Sequence, residues 1–205
     1  MTDEFEQKAG QAGAGTRDGV GQADAGTQDS VGQADPQAAK KTKMKALMLF
    51  QEAASVAVNE DLSPEMVEKI NESNYSGLNL DSHLGVKYVA AGPKLVSVRL
   101  EVGDEHLQPW GVTHGGVYAA LGESVGSVAS YIAAGAGPAV MGTSNHTDFL
   151  RPSKKGDVIV TTATPEHIGR TTQLWRIEHR NEVTGKLVAL THLKTAVIAD
   201  SKPNF

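Results

Sequence analysis

The sequence contains no cysteine among its 205 residues. This absence excludes structural disulfides, thiolate zinc sites, iron–sulfur ligation and a cysteine nucleophile. The chain also lacks an excess of positive charge, since its formal net charge at pH 7 is -5. Without a global positive field, we expect it to bind neither nucleic acid nor an anionic membrane surface.

Targeting and membrane signals are missing as well. The opening residues, MTDEFEQKAG, have neither the basic region nor the apolar stretch of a secretory signal. The most apolar early stretch, residues 44–58, is interrupted by Gln51 and Glu52. It is also shorter than the ~20 residues that a membrane span needs. We therefore expect a soluble, cytoplasmic protein.

The N-terminal part is repetitive and poor in large apolar residues. The units GQAGAGTRDGV, GQADAGTQDSV and GQADP follow one another within residues 10–36. They cannot bury enough surface to offset the entropy of ordering, so we predict a disordered tail over residues 1–38. Residues 39–74 are predicted to form a helical extension. Its second helix is indicated by LSPEMVEKI, in which Ser63 can cap the helix and Pro64 fits the first position.

The remaining residues, 75–205, have the pattern of a single α+β domain. HLGVKYVAAG and KLVSVRLEV are separated by Gly92-Pro93, which predicts a β-hairpin. Apolar residues at helical spacing predict a long helix over 114–133. One apolar helix within a run of strands predicts an antiparallel sheet that wraps the helix. Further strands are expected at about 139–150, 157–167, 171–181 and 185–199.

Glu123 is the most informative residue, because it interrupts a helix made mainly of small and apolar residues. A buried, unpaired carboxylate costs several kcal/mol, and a desolvated carboxylate is a stronger base or nucleophile. Ser127, four residues on, shares its helical face. The alternative is a glutamate at the solvent edge. Ala119 and Gly126 favour the first interpretation, because small residues let a second helix or subunit approach.

The predicted helix begins at His114-Gly115-Gly116. Unpaired N–H groups and the positive end of the helix dipole can polarise a carbonyl or hold an oxyanion there. Glycine lets a ligand come close to the backbone. His114 by itself is equally typical of a helix cap. A base and an oxyanion site on one helix indicate hydrolysis of an acyl group.

Two longer segments carry a family resemblance. LQPWGVTHGGVYAALGESVGSVASYIA and VMGTSNHTDFLRPSKKGDVIV resemble the hotdog-fold acyl-CoA thioesterases of the PaaI and 4-hydroxybenzoyl-CoA (Arthrobacter-type) family. Within this family, the sequence most resembles the 1,4-dihydroxy-2-naphthoyl-CoA thioesterases of menaquinone biosynthesis. The resemblance covers about residues 75–199. It implies a hotdog fold, in which the sheet wraps one central helix. It also implies a homodimer or homotetramer with active sites at the subunit interface.

The resemblance assigns a role to each catalytic candidate. Glu123 is implied to be the nucleophile or general base, and Ser127 to assist the attacking water. The N–H of Gly115 is implied to polarise the thioester carbonyl, while Gln108 and His114 are implied to orient the thioester or support the oxyanion side. In the family, Glu123 and Ser127 come from one subunit and the other three residues from its partner.

The segments HTDFLRPSKKGD and HIGRTTQLW resemble those that bind CoA in the family. A basic residue on a turn is equally typical of a solvated charge, and a strand histidine of a structural role. No cofactor is expected beyond the CoA of the substrate, and no metal, because the histidines lack ligand spacing. The predicted substrate contacts are Gly116, His146, Arg151, Lys154, Gly169, Arg170 and Thr171.

The sequence thus predicts a thioester hydrolase that converts an acyl-CoA to free acid and CoA. An aromatic acyl group, such as hydroxybenzoyl, phenylacetyl or dihydroxynaphthoyl, is implied by the resemblance, with roles in menaquinone biosynthesis or aromatic compound degradation. A non-catalytic acyl-CoA sensor is an alternative, but a sensor has no use for a buried base. A hotdog dehydratase or hydratase is another. Its acid–base pair would be His146 and Asp148, which share a strand face away from the helix.

Overall fold

The computed structural model describes residues 36–74 and 79–198. The predicted disordered tail lies outside these residues, except for its last three, which begin the first helix. None of the described helices combines the length and the apolar character needed to cross a membrane. In chain order the elements are α1 (Pro36–Ala57), α2 (Pro64–Asn74), α3 (Leu80–His83), β1 (Lys87–Ala91), β2 (Val96–Glu101), α4 (Gly115–Ala133), β3 (Ala139–Phe149), β4 (Val158–Ile168), β5 (Thr172–Asn181) and β6 (Leu187–Ile198).

The strands form one six-stranded sheet in the order β1-β2-β4-β5-β6-β3, with every neighbouring pair antiparallel. The predicted hairpin is present, since β1 pairs with β2 from Lys87↔Arg99 to Ala91↔Val96. Strands β1 and β3 are the two edges of the sheet. The predicted α+β arrangement, with one long helix against an antiparallel sheet, is confirmed.

The core lies between α4 and the sheet because both elements present an apolar face there. On α4, Val117, Leu121, Val125 and Ala129 recur every four residues and are all buried. This spacing places them along one side of the helix. The strands supply side chains by alternation, with period two. In β5 the buried residues are Gln173, Trp175, Ile177, His179 and Asn181.

Helices α1 and α2 contribute to the same core. Buried alanines of α1 and Val67 and Ile70 of α2 belong to the cluster that includes α4 and the sheet. The start of α2 is as predicted, since the N–H of Met66 donates to Ser63 Oγ at 3.3 Å. Phe50 of α1 stacks on Tyr131 of α4 with ring centroids 6.1 Å apart. The predicted helical extension and the sheet therefore share one hydrophobic interior.

Two glycines set the distance between α4 and β6. A Cβ atom on Gly122 would lie 2.7–2.9 Å from the side chain of Thr191. One on Gly126 would lie 2.5 Å from Leu193 Cδ2. The interpretation that Gly126 admits a second helix or subunit was wrong, because its open side faces the chain's own sheet.

We expect Gly122→Ala to destabilise the protein, although alanine is favoured over glycine in a helix by about 1 kcal/mol. The new methyl group meets Thr191, whose β-branched side chain is stiff, and such overpacking costs about 1–3 kcal/mol. Gly126→Ala is the matched comparison, because it meets the far end of the more flexible Leu193 side chain. Urea unfolding should show the larger loss for Gly122→Ala, and a stabilised Gly122→Ala would contradict this packing.

Candidate active site

Glu123 lies in the middle of α4, is half-buried, and faces strand β3. The opposing residue on β3 is Gly142, where any Cβ atom would overlap Glu123 Oε1. The missing side chain therefore makes room for the carboxylate between helix and strand. Ser127, also half-buried, lies one helical turn further along the same side of α4.

Asn145 is a contact of Glu123 that the sequence analysis missed. Its Nδ2 donates to Glu123 Oε2 at 3.4 Å and to the carbonyl of Ala119 at 3.0 Å. Residues three apart on a regular strand point to opposite faces, but the pairing of β3 with β6 shifts between Gly142 and Ser144. The irregularity lets Gly142 and Asn145 both face α4. No local pattern in the sequence signals such a shift.

The start of α4 is capped by His114. Its Nδ1 accepts a hydrogen bond from the N–H of Gly116 at 2.9 Å, so a neutral His114 ring carries its proton on Nε2. Within the described residues, the N–H of Gly115 has no hydrogen-bond acceptor. The ring of Phe149 lies against Gly115, 2.6–3.0 Å from where a Cβ atom would be. The positive end of α4 thus offers the Gly115 N–H to a ligand.

Gln108 lies in the turn that leads into α4. Its N–H donates to the carbonyl of Val112, and its carbonyl accepts from the N–H of Gly111, both at 2.9 Å. The turn is closed by a bridge between Leu107 and Thr113. These backbone contacts hold the half-buried Gln108 in the turn that precedes α4.

Within one chain, the Gly115 N–H and the Glu123 carboxylate lie far apart. Gly115 and Glu123 are eight residues apart on α4, which is about 12 Å along the helix axis. A single thioester carbon cannot contact both the Gly115 N–H and the Glu123 carboxylate across that distance. Gln108, His114 and Gly115 form one group, and Glu123 with Ser127 forms another.

The predicted CoA contacts are separated as well. Arg151 and Lys154 are exposed and lie near the start of α4, where the hydroxyls of Ser153 and Thr113 are hydrogen-bonded at 2.6 Å. The turn of Gly169, Arg170 and Thr171 lies at the far end of the 11-residue strand β4. That length is about 33 Å. A single chain does not bring the two segments together.

His146 is exposed on β3, next to Asn145 in sequence and hence on the opposite face of the strand. Its Nε2 lies 3.3 Å from Asp148 Oδ1. The pair therefore points away from α4 and Glu123 of the same chain, so it does not support the dehydratase alternative. Across the described segments, no group of three or more His, Asp or Glu side chains is placed to hold a metal ion.

A cavity of about 300 Å³ between α1, α2 and α4 was not anticipated. Leu47, Phe50 and Val128 line it with apolar atoms, and Asp81 adds a carboxylate. Ser124 Oγ donates to Asp81 Oδ1 at 2.7 Å. Burial raises the pKa of the Asp81 carboxyl above its usual value, and the hydrogen bond from Ser124 partly offsets this. The cavity lies beside a different face of α4 from that of Glu123.

Comparison with known proteins identifies the family. The family model of the thioesterase superfamily matches residues 111–188, which include the start of α4, Glu123 and Asn145. A putative esterase of Haemophilus influenzae is 38% identical over 117 residues, covering 57% of this chain and 83% of the relative. This chain belongs to the thioesterase superfamily. A second superfamily relative, the proofreading thioesterase EntH of Cronobacter turicensis, is 35% identical over 58% of this chain and 85% of its own length.

Solved structures of the superfamily agree with the fold. A thioesterase of Haemophilus influenzae has a TM-score of 0.59 and 34% identity, covering 64% of this chain and 90% of that one. The PaaI protein of the E. coli phenylacetic acid degradation operon has a TM-score of 0.57 and 26% identity, covering 65% and 94%. The predicted hotdog thioesterase fold and the thioester hydrolase class are confirmed. The narrower likeness to hydroxybenzoyl- or dihydroxynaphthoyl-CoA thioesterases stays a prediction.

We expect Asp81→Asn to stabilise this thioesterase at neutral pH. Because the pKa of Asp81 is raised in the folded state, folding favours its protonated form, and that contribution is lost as the pH rises through the raised pKa. Asparagine is neutral and retains an oxygen that accepts from Ser124. Its gain in melting temperature should be present at pH 8 and shrink as the pH falls towards the ordinary value of 3.8. An equal gain at pH 8 and pH 4 would exclude this cause.

Proposed function

We propose that this protein hydrolyses acyl-CoA thioesters to the free acid and CoA, with Glu123 as nucleophile or general base. The observation that carries the proposal is the half-buried Glu123 carboxylate on α4, whose N-terminal end offers the Gly115 N–H. A base and an oxyanion donor are the two groups that acyl transfer requires. The similarity to EntH and other thioesterases supports the same chemistry.

The active unit is a homodimer, in which each site combines two chains. The separation of about 12 Å along α4 supports a site shared with a second chain, because one thioester carbon does not reach both groups (about 1.5 Å per residue). Strand β3 offers the surface, as it is an 11-residue edge strand with largely exposed side chains. Unpaired backbone groups of an edge strand readily pair with another chain. Two-fold pairing through β3 brings Glu123 of one chain towards Gly115 of its partner, and two such dimers can form a tetramer.

In each site, the Gly115 N–H of one subunit polarises the thioester carbonyl and stabilises the developing oxyanion. Gln108 and His114 of the same subunit orient the thioester. Glu123 of the other subunit attacks the carbonyl carbon, so that the C–S bond breaks, the thiolate leaves and takes a proton, and water hydrolyses the resulting anhydride. Alternatively, Glu123 removes a proton from water, which attacks directly. Ser127 holds the water in either route.

The substrate proposed is an aromatic acyl-CoA, such as hydroxybenzoyl-, phenylacetyl- or dihydroxynaphthoyl-CoA. The PaaI relative belongs to a phenylacetic acid degradation operon, which supports this class. The CoA phosphates contact Arg151 and Lys154 of one subunit, with Arg170 contributed by the other because β4 keeps it remote within one chain. A cytoplasmic location fits a CoA-linked substrate, and the CoA enters with the substrate rather than as a cofactor.

We expect Glu123→Gln to lower kcat/KM by at least ~10³-fold, because it removes the charge of the base while keeping its shape. Release of CoA thiol from aromatic, short-chain and long-chain CoA thioesters measures the effect and names the substrate class. Glu68→Gln, an exposed site on α2, is the matched control and should match the wild type. A wild type that binds acyl-CoA tightly but hydrolyses no thioester would be a sensor instead.

We expect Met141→Glu to weaken the dimer and reduce activity, because Met141 is 58% exposed on β3 in the single chain and a charge at an apolar interface is costly. Met48→Glu is the matched control, since Met48 is 62% exposed but lies on α1. Light scattering gives the mass of each variant. The dimer interface lies elsewhere if Met141→Glu keeps the wild-type mass at low protein concentration.

A further inference from the structure

A row of polar side chains crosses the sheet beneath α4, where the surrounding core is apolar. It runs through Thr161 of β4, His179 of β5, Thr191 of β6 and Thr147 of β3, and ends at Asn145. The first three side chains have no exposed surface, and Thr147 is half-buried. The successive hydrogen bonds measure 2.9, 2.9, 2.8 and 2.9 Å.

The row joins neighbouring strands of the sheet. Thr161 is paired with His179 across β4 and β5, and Thr147 with Thr191 across β3 and β6. Thr191 also packs against Gly122 of α4, and Gly122 is the residue before Glu123. Buried polar groups cost free energy unless they are hydrogen-bonded, and here every member of the row has a partner, with Thr161 bonded to His179 at one end.

The direction of each hydrogen bond follows from the donors available. Asn145 donates through Nδ2 to Glu123 and Ala119, so its Oδ1 accepts the Thr147 hydroxyl. A threonine hydroxyl has one proton. Since Thr147 gives its proton to Asn145, the proton between the two threonines belongs to Thr191.

The same reasoning fixes the state of His179. Thr191 has given its proton to Thr147, so His179 Nε2 must donate to Thr191 Oγ1. Burial lowers the pKa of His179 to about 3, so the ring is neutral at physiological pH and carries a single N–H. Its Nδ1 therefore accepts the proton of Thr161. In every hydrogen bond of the row, the donor is therefore on the Thr161 side and the acceptor is on the Glu123 side.

We propose that this row, from Thr161 to Asn145, positions the Glu123 carboxylate for attack on the thioester. Asn145 contacts Glu123 directly, while Thr147, Thr191 and His179 act through Asn145 as positioning residues. Hydrogen bonds aligned in one direction polarise one another, so the row strengthens the Asn145 N–H as a donor. It also fixes the amide orientation, because a rotated amide would point its oxygen at the carboxylate. The inference rests on the proposed role of Glu123 as base or nucleophile.

The first test compares Thr147→Val and Thr191→Val with Thr147→Ser and Thr191→Ser. Valine keeps the shape of threonine but interrupts the row, whereas serine retains the hydroxyl. We expect each valine variant to lower kcat about 10-fold with KM and mass close to wild type, and each serine variant to recover most of the rate. Thr191→Val should also melt at a lower temperature, because it leaves the buried His179 N–H without an acceptor. Thr191 is buried and valine keeps its packing against Gly122, so the valine–serine comparison isolates the hydroxyl.

A spectroscopic measurement tests the row without any substrate. Nitrogen-15 NMR of the histidine rings should show His179 as the Nε2–H tautomer, with no titration between pH 5 and pH 8. The Nδ1–H tautomer, or a ring that titrates in this range, would overturn the inference. So would valine variants that turn over at the wild-type rate. A wild type with no thioesterase activity would instead overturn the proposed function, and this inference with it.

Discussion

The contact between α4 and β6 is the constraint on which the other features of the site depend. Gly122 and Gly126 have no side chains, and the helix lies against Thr191 and Leu193 at the distance that this permits. A helix held further from the sheet would separate Glu123 from Asn145. It would also open the interior around Thr161, His179 and Thr191, the buried members of the polar row. Packing and chemistry therefore depend on the same two glycines.

The length of one helix explains why the active unit is proposed to contain two chains. The N-terminal end of α4 holds an N–H that can stabilise negative charge, and the middle of α4 holds the carboxylate. Helical rise keeps them about 12 Å apart whatever the side chains do. The edge strand β3 then has two roles: its inner face supplies Gly142 and Asn145 to Glu123, and its unpaired edge is available to a second copy.

The buried polar row also shows how the fold tolerates polar groups in its core. Thr161, His179 and Thr191 satisfy one another, so none is left without a partner. A neutral histidine suits this place, because its two nitrogens can accept from one threonine and donate to the next. A second charge in the core would be costly, and burial keeps the ring uncharged. The one negative group at the end of the row, Glu123, is only half-buried.

By itself, the sequence determined the element order, the antiparallel sheet and the long helix, and it indicated Glu123 and His114-Gly115 as candidate site residues. These follow from residue periodicity, turn residues and helix-end chemistry, which are properties of neighbouring positions. Only the tertiary structure decided that Asn145 faces Glu123, that Gly126 faces β6, and that Arg151 and Arg170 lie at opposite ends of β4. It also revealed the cavity at Asp81 and the row through His179. Each depends on strand register, on an irregularity in strand pairing or on contacts between residues far apart in the chain. Local sequence patterns do not determine which distant residues come into contact.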